Sequence, residues 1–314
     1  MHKKVLVTGA SPDHLNQNTI MRDYVAEGFR QVLGARFIKN SPLEYAVTEL
    51  AEFDADLVLV FGSCMPDYCD YGKLKAACDK RGAILAFWLH DDPYEIDFNY
   101  KVIDVADLIF TNDKWASEFY DHPSCYHLPM AASKAAHYRE IKQEKDIDLF
   151  FCGVGFENRR RLFRDLKPLL DSVSIRVLGA DWPGDIPFAV NRRIKNKELA
   201  SYLARSKFSL NIGRHLNFAN DRYKLDPSTP GPRTFETAMA GSAQIYFVES
   251  LEIEEYYADG KEILLADDAR DLEQILERYM DAPQDIAAIG KSAQERSLQE
   301  HTYKHRVSRI LALI

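Results

Sequence analysis

Arg233-Thr234-Phe235-Glu236 stands where a polar loop gives way to a run of small residues closed by Gly241, inside the stretch LNIGRHLNFANDRYKLDPSTPGPRTFETAMAG. The order is a short apolar strand, a loop carrying Asn211, Arg214, Arg222 and Lys224, and then a helix. A helix N-terminus offers free backbone N–H groups and a partial positive charge, so it receives phosphate, and nearby arginines add charge-assisted hydrogen bonds. Glu236 would repel a phosphate that it faced. Beside a bound nucleotide, however, a carboxylate accepts two hydrogen bonds from a ribose diol. Arginine for a diphosphate and glutamate for sugar hydroxyls together read as a nucleotide-sugar pocket.

A second basic cluster follows the turn Gly153-Val154-Gly155-Phe156, where Arg159-Arg160-Arg161 begins a helix. Glycine lets a backbone approach a ligand closely. Positive charge at a helix start opposes the dipole unless an anion sits there, so at least one of these arginines is expected to face one; a solvated basic helix start is the alternative. His90-Asp91-Asp92-Pro93 follows the apolar run 83–89 and puts three titratable groups at a strand's carboxyl end, where α/β sheets collect their site residues. Acid–base work or gripping of sugar hydroxyls is one reading. The other is local: Asp91 or Asp92 caps the next helix and His90 bonds nearby. Asp13, His14 and Asn16 lie in a strand-to-helix loop longer than usual, which makes them candidate acceptor contacts. Thr8-Gly9-Ala10-Ser11 lacks the GxGxxG pattern and reads as a turn, so a dinucleotide cofactor is discounted. Trp182, in the turn 179–184, reads as a packing anchor.

The elements that must hold these residues alternate. Continuous apolar or β-branched runs at 4–8, 56–61, 83–88 and 108–111 suit strands buried on both faces of a parallel sheet. Helical spacing covers 19–33, with Gly34 as a stop, and shorter helices are expected at 73–80 and 113–120. Around 130–145 the composition shifts to Ala, Lys, Glu and Gln, the best candidate linker. Alternation then restarts with strands at 147–152, 174–178, 208–212, 243–248 and 262–265. Helices are expected at 158–170, 197–206, from 233, near 251–258, at 271–280 and at 286–298. The pattern predicts a first doubly wound domain over 1–130, a linker over 131–145, a second over 146–300, and a final helix over 301–314 that docks onto a core and could cross back to the first domain. Ligands are expected in a cleft at the strands' carboxyl ends.

Composition narrows the function classes. The 314 residues, 46% hydrophobic and 28% charged, suit a globular chain of two domains. A net charge of −8 argues against general nucleic-acid binding, which needs surplus Lys and Arg. No apolar run reaches the length of a membrane span, and the apolar stretch after Met1-His2-Lys3-Lys4 is short for a signal peptide, so a cytoplasmic protein is expected. Cys64, Cys69, Cys78, Cys125 and Cys152 form no CxxC pair and the histidines no HExxH helix, so reduced thiols and no metal site are expected.

Four blocks in order make the second half resemble the glycosyltransferase group 1 type of C-terminal domain, most closely that of CgeB-like glycosyltransferases. They are the 148–155 strand and glycine turn followed by arginines, the Gly179–Trp182 turn, the LNIGR…PRTFETAMAG block and HTYKHR, and they span 146–306. The first half resembles the family only in its alternation and in HDDP after a Trp-containing strand. The resemblance implies the glycosyltransferase B fold, two Rossmann-like doubly wound parallel-sheet domains facing a cleft, with donor on the second and acceptor on the first.

It also implies a nucleoside-diphosphate sugar as donor, transfer of hexosyl type and no cofactor. Glu236 matches the family's ribose ligand, Arg233 and Thr234 lie near the diphosphate, and Arg214 and Arg159 match basic positions near phosphate. Gly153, Gly155 and Asn211 complete the donor set. His90 occupies a position near the reacting sugar, and with Asp91 and Asp92 forms the candidate catalytic group. Ser228 stands where relatives commonly carry a second glutamate. Arginines and a helix N-terminus can stabilise diphosphate departure without metal; an inverting enzyme would add a base from Asp91, Asp92, Asp13 or His14. The acceptor stays open among glycan, protein, metabolite and modified base. A nucleotide-sugar epimerase or hydrolase on the same fold, and a silent donor-binding scaffold, are the rival readings.

Overall fold

The computed structural model describes residues 3–15, 18–65, 69–141, 144–170 and 173–314. In chain order the elements begin β1 (Val5–Gly9), α1 (Thr19–Leu33), β2 (Ile38–Ser41), α2 (Ala46–Phe53), β3 (Leu57–Gly62), α3 (Gly72–Arg81), β4 (Ile84–Leu89), α4 (Tyr100–Ile103), β5 (Leu108–Thr111) and β6 (Cys125–His127). They continue with α5 (Lys134–His137), β7 (Ile147–Cys152), α6 (Glu157–Asp165), α7 (Lys167–Leu170), β8 (Ile175–Leu178), β9 (Ala189–Val190), α8 (Asn196–Arg205) and β10 (Ser206–Asn211). The last are α9 (Pro232–Met239), β11 (Ala243–Phe247), β12 (Leu264–Ala266), α10 (Ala269–Tyr279), α11 (Pro283–Glu300) and α12 (Tyr303–Leu311).

The chain forms two compact units, one of 1–130, 217–229 and 303–314, the other of 131–216 and 230–302. Each holds a six-stranded sheet, ordered β2-β1-β3-β4-β5-β6 in the first and β12-β11-β10-β7-β8-β9 in the second, with every strand pair parallel. All residues of β1, β3, β5 and β11 are buried, as two-faced coverage by helices requires. The second sheet runs outward from β7 to β9 on one side and from β10 to β12 on the other, so its topological switch point lies between β7 and β10. That is where a doubly wound sheet opens a crevice at its carboxyl edge.

Several expectations need correction. The 131–145 segment is not a free linker: Ala131, Ala132 and His137 are buried, and Ser133 caps the short helix α5. The helices expected at 113–120 and near 251–258 are single 3-10 turns, Ala116–Phe119 and Leu251–Glu255. β2, β6 and β9 were not expected; β2 reads Ile-Lys-Asn-Ser, with too little apolar character to stand out from a loop.

Two distant segments complete the first unit. On α12, Arg306 is buried and donates through Nε to the carbonyls of Pro129 (2.9 Å) and Met130 (3.1 Å). Gly28 of α1 lies so close to the backbone of Tyr303 that a Cβ there would stand 2.9 Å away. The other segment, Asn217–Thr229, is tied down along its length. Phe218 and Ala219 donate backbone N–H groups to the Tyr94 carbonyl (3.1 and 3.0 Å), and Asp221 and Arg222 donate theirs to Asp97 Oδ2 (2.7 and 3.1 Å). Ser228 and Thr229 donate theirs to Asp113 Oδ2 (2.7 and 3.1 Å).

Candidate functional site

In the second unit the switch point is built by backbone and three kinds of side chain. β7 ends at Cys152 and turns through Gly153–Phe156 into α6, while the turn after β8 packs against it. Gly155 N–H donates to the Ala180 carbonyl (2.8 Å) and Trp182 Nε1 to that of Gly153 (3.1 Å). A Cβ on Gly155 would stand 2.7 Å from the Asp181 carbonyl. Gly153 and Gly155 thus serve close packing of two turns, which corrects the expectation that a ligand fills the space beside them. Trp182 is buried among Phe151 and Phe163, a packing anchor.

Arg159 joins the same packing. Its Nε donates to the carbonyls of Ile212 (3.1 Å) and Gly213 (3.0 Å), Nη2 to Ile212 (2.7 Å) and Nη1 to Val154 (3.0 Å). Through these carbonyls the guanidinium clamps the loop after β7 to the loop after β10. Asn158 extends the clamp, donating to the Gly213 carbonyl (3.0 Å). Arg214, next along this loop, is half-buried.

Asn211, the last residue of β10, donates to Thr234 Oγ1 (2.7 Å) and to Gln244 Oε1 (3.0 Å) of β11. Thr234 is fully buried, and its hydroxyl pins the first turn of α9 to the sheet. Pro232 at the first position of α9 suits a helix start. One turn on, Glu236 is 5% exposed and meets Arg233 Nη1 at 2.9 Å, while His137 Nε2 stands 3.5 Å from its other oxygen. Burial pushes the Glu236 carboxyl up, but the charge and hydrogen bond of Arg233, with His137 on the other side, outweigh it and hold it below its ordinary value. His137 accepts the Ser133 N–H on Nδ1 (3.1 Å), so the neutral ring carries its proton on Nε2, toward Glu236. Burial lowers the pKa of His137. Sequence reading missed this residue because it falls in the supposed linker; the Ser133 cap was the only local sign of structure there.

In the first unit the candidate catalytic residues separate. His90 follows β4, donates its N–H to the Gly62 carbonyl (3.3 Å) and holds Nδ1 3.2 Å from Asp91 Oδ2. The Asp91 side chain is 16% exposed. Asp92 is buried, its Oδ2 accepting from Thr111 Oγ1 (2.6 Å) and Tyr120 OH (2.7 Å), with its N–H donating to Asn112 Oδ1 (3.1 Å). Burial pushes the Asp92 carboxyl up to about 6 against the pull of the two hydroxyls. It joins the loops after β4 and β5 and does not face solvent, which corrects its place in the catalytic group. Glu95, not singled out from sequence, is also buried; it accepts from Ser63 Oγ (2.6 Å) and the Cys64 N–H (2.7 Å), and burial raises its pKa. Its spacing from HDDP, in a turn rather than a regular helix, carries no sequence signal.

Of the expected acceptor contacts, Asp13 pairs with Arg22 through both oxygens (2.5 and 2.9 Å) and braces the loop after β1 against α1. His14 is exposed, and Asn16 lies outside the described residues. Among the described residues, no group of three or more His, Cys, Asp or Glu side chains is arranged to hold a metal ion, and no helix is long and apolar enough to cross a membrane.

Two sheets with switch points at their carboxyl edges, and a basic–acidic pair opening α9 in the second, set the frame for comparison. Residues 159–312 match the family described as glycosyl transferase-like. Over 174 residues the chain is 22% identical to the spore protein CgeB of Bacillus subtilis (strain 168), a match covering 50% of this chain and 54% of that protein. Over its second half the chain is thus similar to the glycosyl transferase-like family and to CgeB. It spans about half the length of this curated relative. Anabaena HepE, solved in complex with UDP-glucose, superposes with a TM-score of 0.65 at 10% identity, covering 100% of both chains. A glycosyltransferase from Rickettsia africae gives 0.67 at 8%, covering 100% of this chain and 98% of that one. The fold is the glycosyltransferase B fold, two Rossmann-like domains.

Proposed function

We propose that this chain is a glycosyltransferase that takes a sugar, of hexosyl type, from a nucleoside-diphosphate donor bound at the switch point of the second unit. The observation that carries the reading is the Arg233–Glu236–His137 group at the first turn of α9. Cleavage of the sugar–phosphate bond leaves negative charge on the diphosphate. The α9 N-terminus and the guanidiniums of Arg233 and Arg214 supply positive potential for it. Glu236, held below its ordinary pKa, is an acceptor for the ribose hydroxyls, with Arg233 beside it. HepE, of the same fold, was solved with UDP-glucose, which supports a uridine-diphosphate donor. Departure assisted by arginine and helix charge needs no metal, and the reading places the reaction in the cytoplasm. Asp91, turned by His90 and the more exposed of the two aspartates, is the candidate base in the first unit.

The test is calorimetric titration of UDP into the parent protein and into Glu236→Ala. The expected result is about tenfold weaker binding in a folded variant, the scale of one charge-assisted hydrogen bond. Unchanged affinity would sink the ribose assignment.

A further inference from the structure

Charge in the second unit is sorted by position. Its first stretch, 131–216, carries seventeen Lys and Arg against ten Asp and Glu, whereas its second, 230–302, carries six against sixteen. These counts take in every Asp, Glu, Lys and Arg of the unit. The sheet order turns the sorting in sequence into a sorting in space: β7, β8 and β9 with α6 and α8 make one end, and β11, β12 and α10 make the other. The edge strands are β9 and β12.

At the β9 end, the loop 191–197 reads Asn-Arg-Arg-Ile-Lys-Asn-Lys, and its four cations, Arg192, Arg193, Lys195 and Lys197, are all exposed. Arg139 Nη2 donates to the Lys197 carbonyl (3.1 Å) and adds a further guanidinium. Acids of this end meet its own cations: Asp185 pairs with Arg164 (2.7 Å), Glu198 with Arg192 (2.7 Å), Asp148 with Lys207 (2.8 Å) and Asp146 with Arg205. The excess is cationic. At the β12 end, 249–285 holds thirteen acids against three cations, Lys261, Arg270 and Arg278. Asp267, Asp268, Glu273, Glu277, Asp281 and Asp285 are exposed there. Each end also presents an apolar side chain to solvent: Val190, closing β9, is 51% exposed, and Leu251, in the turn that leads to β12, is 69% exposed.

The ends of a six-stranded sheet lie about 24 Å apart, five spacings of about 4.8 Å. Exposed charges so separated are screened from one another, because the Debye length is about 8 Å at physiological ionic strength. Each end therefore acts on whatever meets it. An anionic polymer or lipid surface matches the basic end alone, in a chain whose net charge is −8. A second copy of the chain matches both ends, because it brings the opposite charge to each.

We propose that the second unit docks head to tail on a second copy of this chain, the β9 end of one against the β12 end of the next. Such a contact is heterologous: it joins two different patches, so every added copy leaves one basic and one acidic end open until a ring closes. It involves neither donor nor acceptor and stands apart from the sugar-transfer reading.

Sedimentation velocity of the full chain at about 0.1 mM tests it, at about 0.02 M and about 0.5 M salt, between which the Debye length falls from about 20 Å to about 4 Å. Dimers and larger species are expected at low salt, with association about tenfold or more weaker at high salt. Two double variants at exposed positions reverse one end each, Lys195→Glu with Lys197→Glu and Glu273→Lys with Glu277→Lys. Each alone is expected to sediment as a monomer. Mixed in equal amounts they should associate again, since one then has two acidic ends and the other two basic ones. Lys73→Glu with Lys80→Glu, the same charge change on exposed positions of α3 in the first unit, should associate as the parent does. A parent that is monomeric at both salts overturns the proposal, and its sedimentation with phosphatidylserine vesicles in that case would assign the basic end to a lipid surface. End-reversed variants that associate like the parent, or a mixture that associates no better than its parts, overturn it as well.

Discussion

Asp92 in the first unit and Glu236 in the second are almost equally buried, at 3% and 5% exposure, yet their carboxyls are driven in opposite directions. Both stand beside the carboxyl edge of a parallel sheet. Asp92 is surrounded by hydroxyls and by further carboxylates, so desolvation dominates and the proton is held more tightly. Glu236 has a guanidinium at 2.9 Å, and that charge overrides the same desolvation. Burial alone therefore does not set the direction of the shift; the charged neighbours do. In the first unit burial raises Asp92 and Glu95, which lock loops, while in the second Glu236 is held below its ordinary value.

The largest effect separates Asp91 from Asp92. If Asp91 is the base, Asp91→Asn should lower turnover about 10²- to 10⁴-fold while leaving UDP affinity unchanged, the usual range for one general base. The check is kcat alongside UDP calorimetry. Equal loss of turnover in a stable Asp92→Asn variant would erase the division drawn between adjacent aspartates.

Asp92→Asn should instead reshape the pH dependence of stability. The unfolded carboxyl loses its proton near its ordinary value of 3.8 and the folded one only near 6, so this stability is fully present at low pH and is lost as pH rises through about 6. The loss amounts to about 3 kcal/mol. An asparagine keeps an oxygen for Thr111 and Tyr120 and carries no charge, so urea unfolding below about pH 4 and above about pH 7 should show the variant gaining on the parent as pH rises. A constant difference between the two would remove the desolvation argument.

Arg233→Met should have a smaller effect, in the second unit. It leaves Glu236 buried beside His137 alone. Removing one partner of a fully buried pair costs about 3–5 kcal/mol, and with Arg233 one-third exposed the expected loss is about 2 kcal/mol. Midpoints of denaturant unfolding measure it, and a variant as stable as the parent would show that His137 is sufficient to hold the charge.

Local pattern made much of the fold legible. Leu108–Thr111 and Ile147–Cys152 are strands over the expected residues because an unbroken apolar run has few other fates. Thr19–Leu33 is the expected helix because Gly34, at positive φ, ends it. Arg233 and Glu236 were legible as a pair because four residues of one helix carry them. Other features depend on residues far apart in sequence. Nothing in Arg159-Arg160-Arg161 says that the first of the three reaches carbonyls more than fifty positions away. Segment 217–229 reads as an ordinary polar loop of the second unit. Its partners Tyr94, Asp97 and Asp113 lie more than a hundred positions earlier.

The return of α12 to α1, sealed by Arg306 on the carbonyls of Pro129 and Met130, bears on how the protein is made. Domains ordinarily finish folding in the order in which the ribosome releases them. Here the unit that starts first is completed by residues 303–314, so a nascent chain carries it unfinished while all of the second unit is synthesised. During that interval the α1 face around Gly28 lacks the cover that Tyr303 gives it in the finished unit.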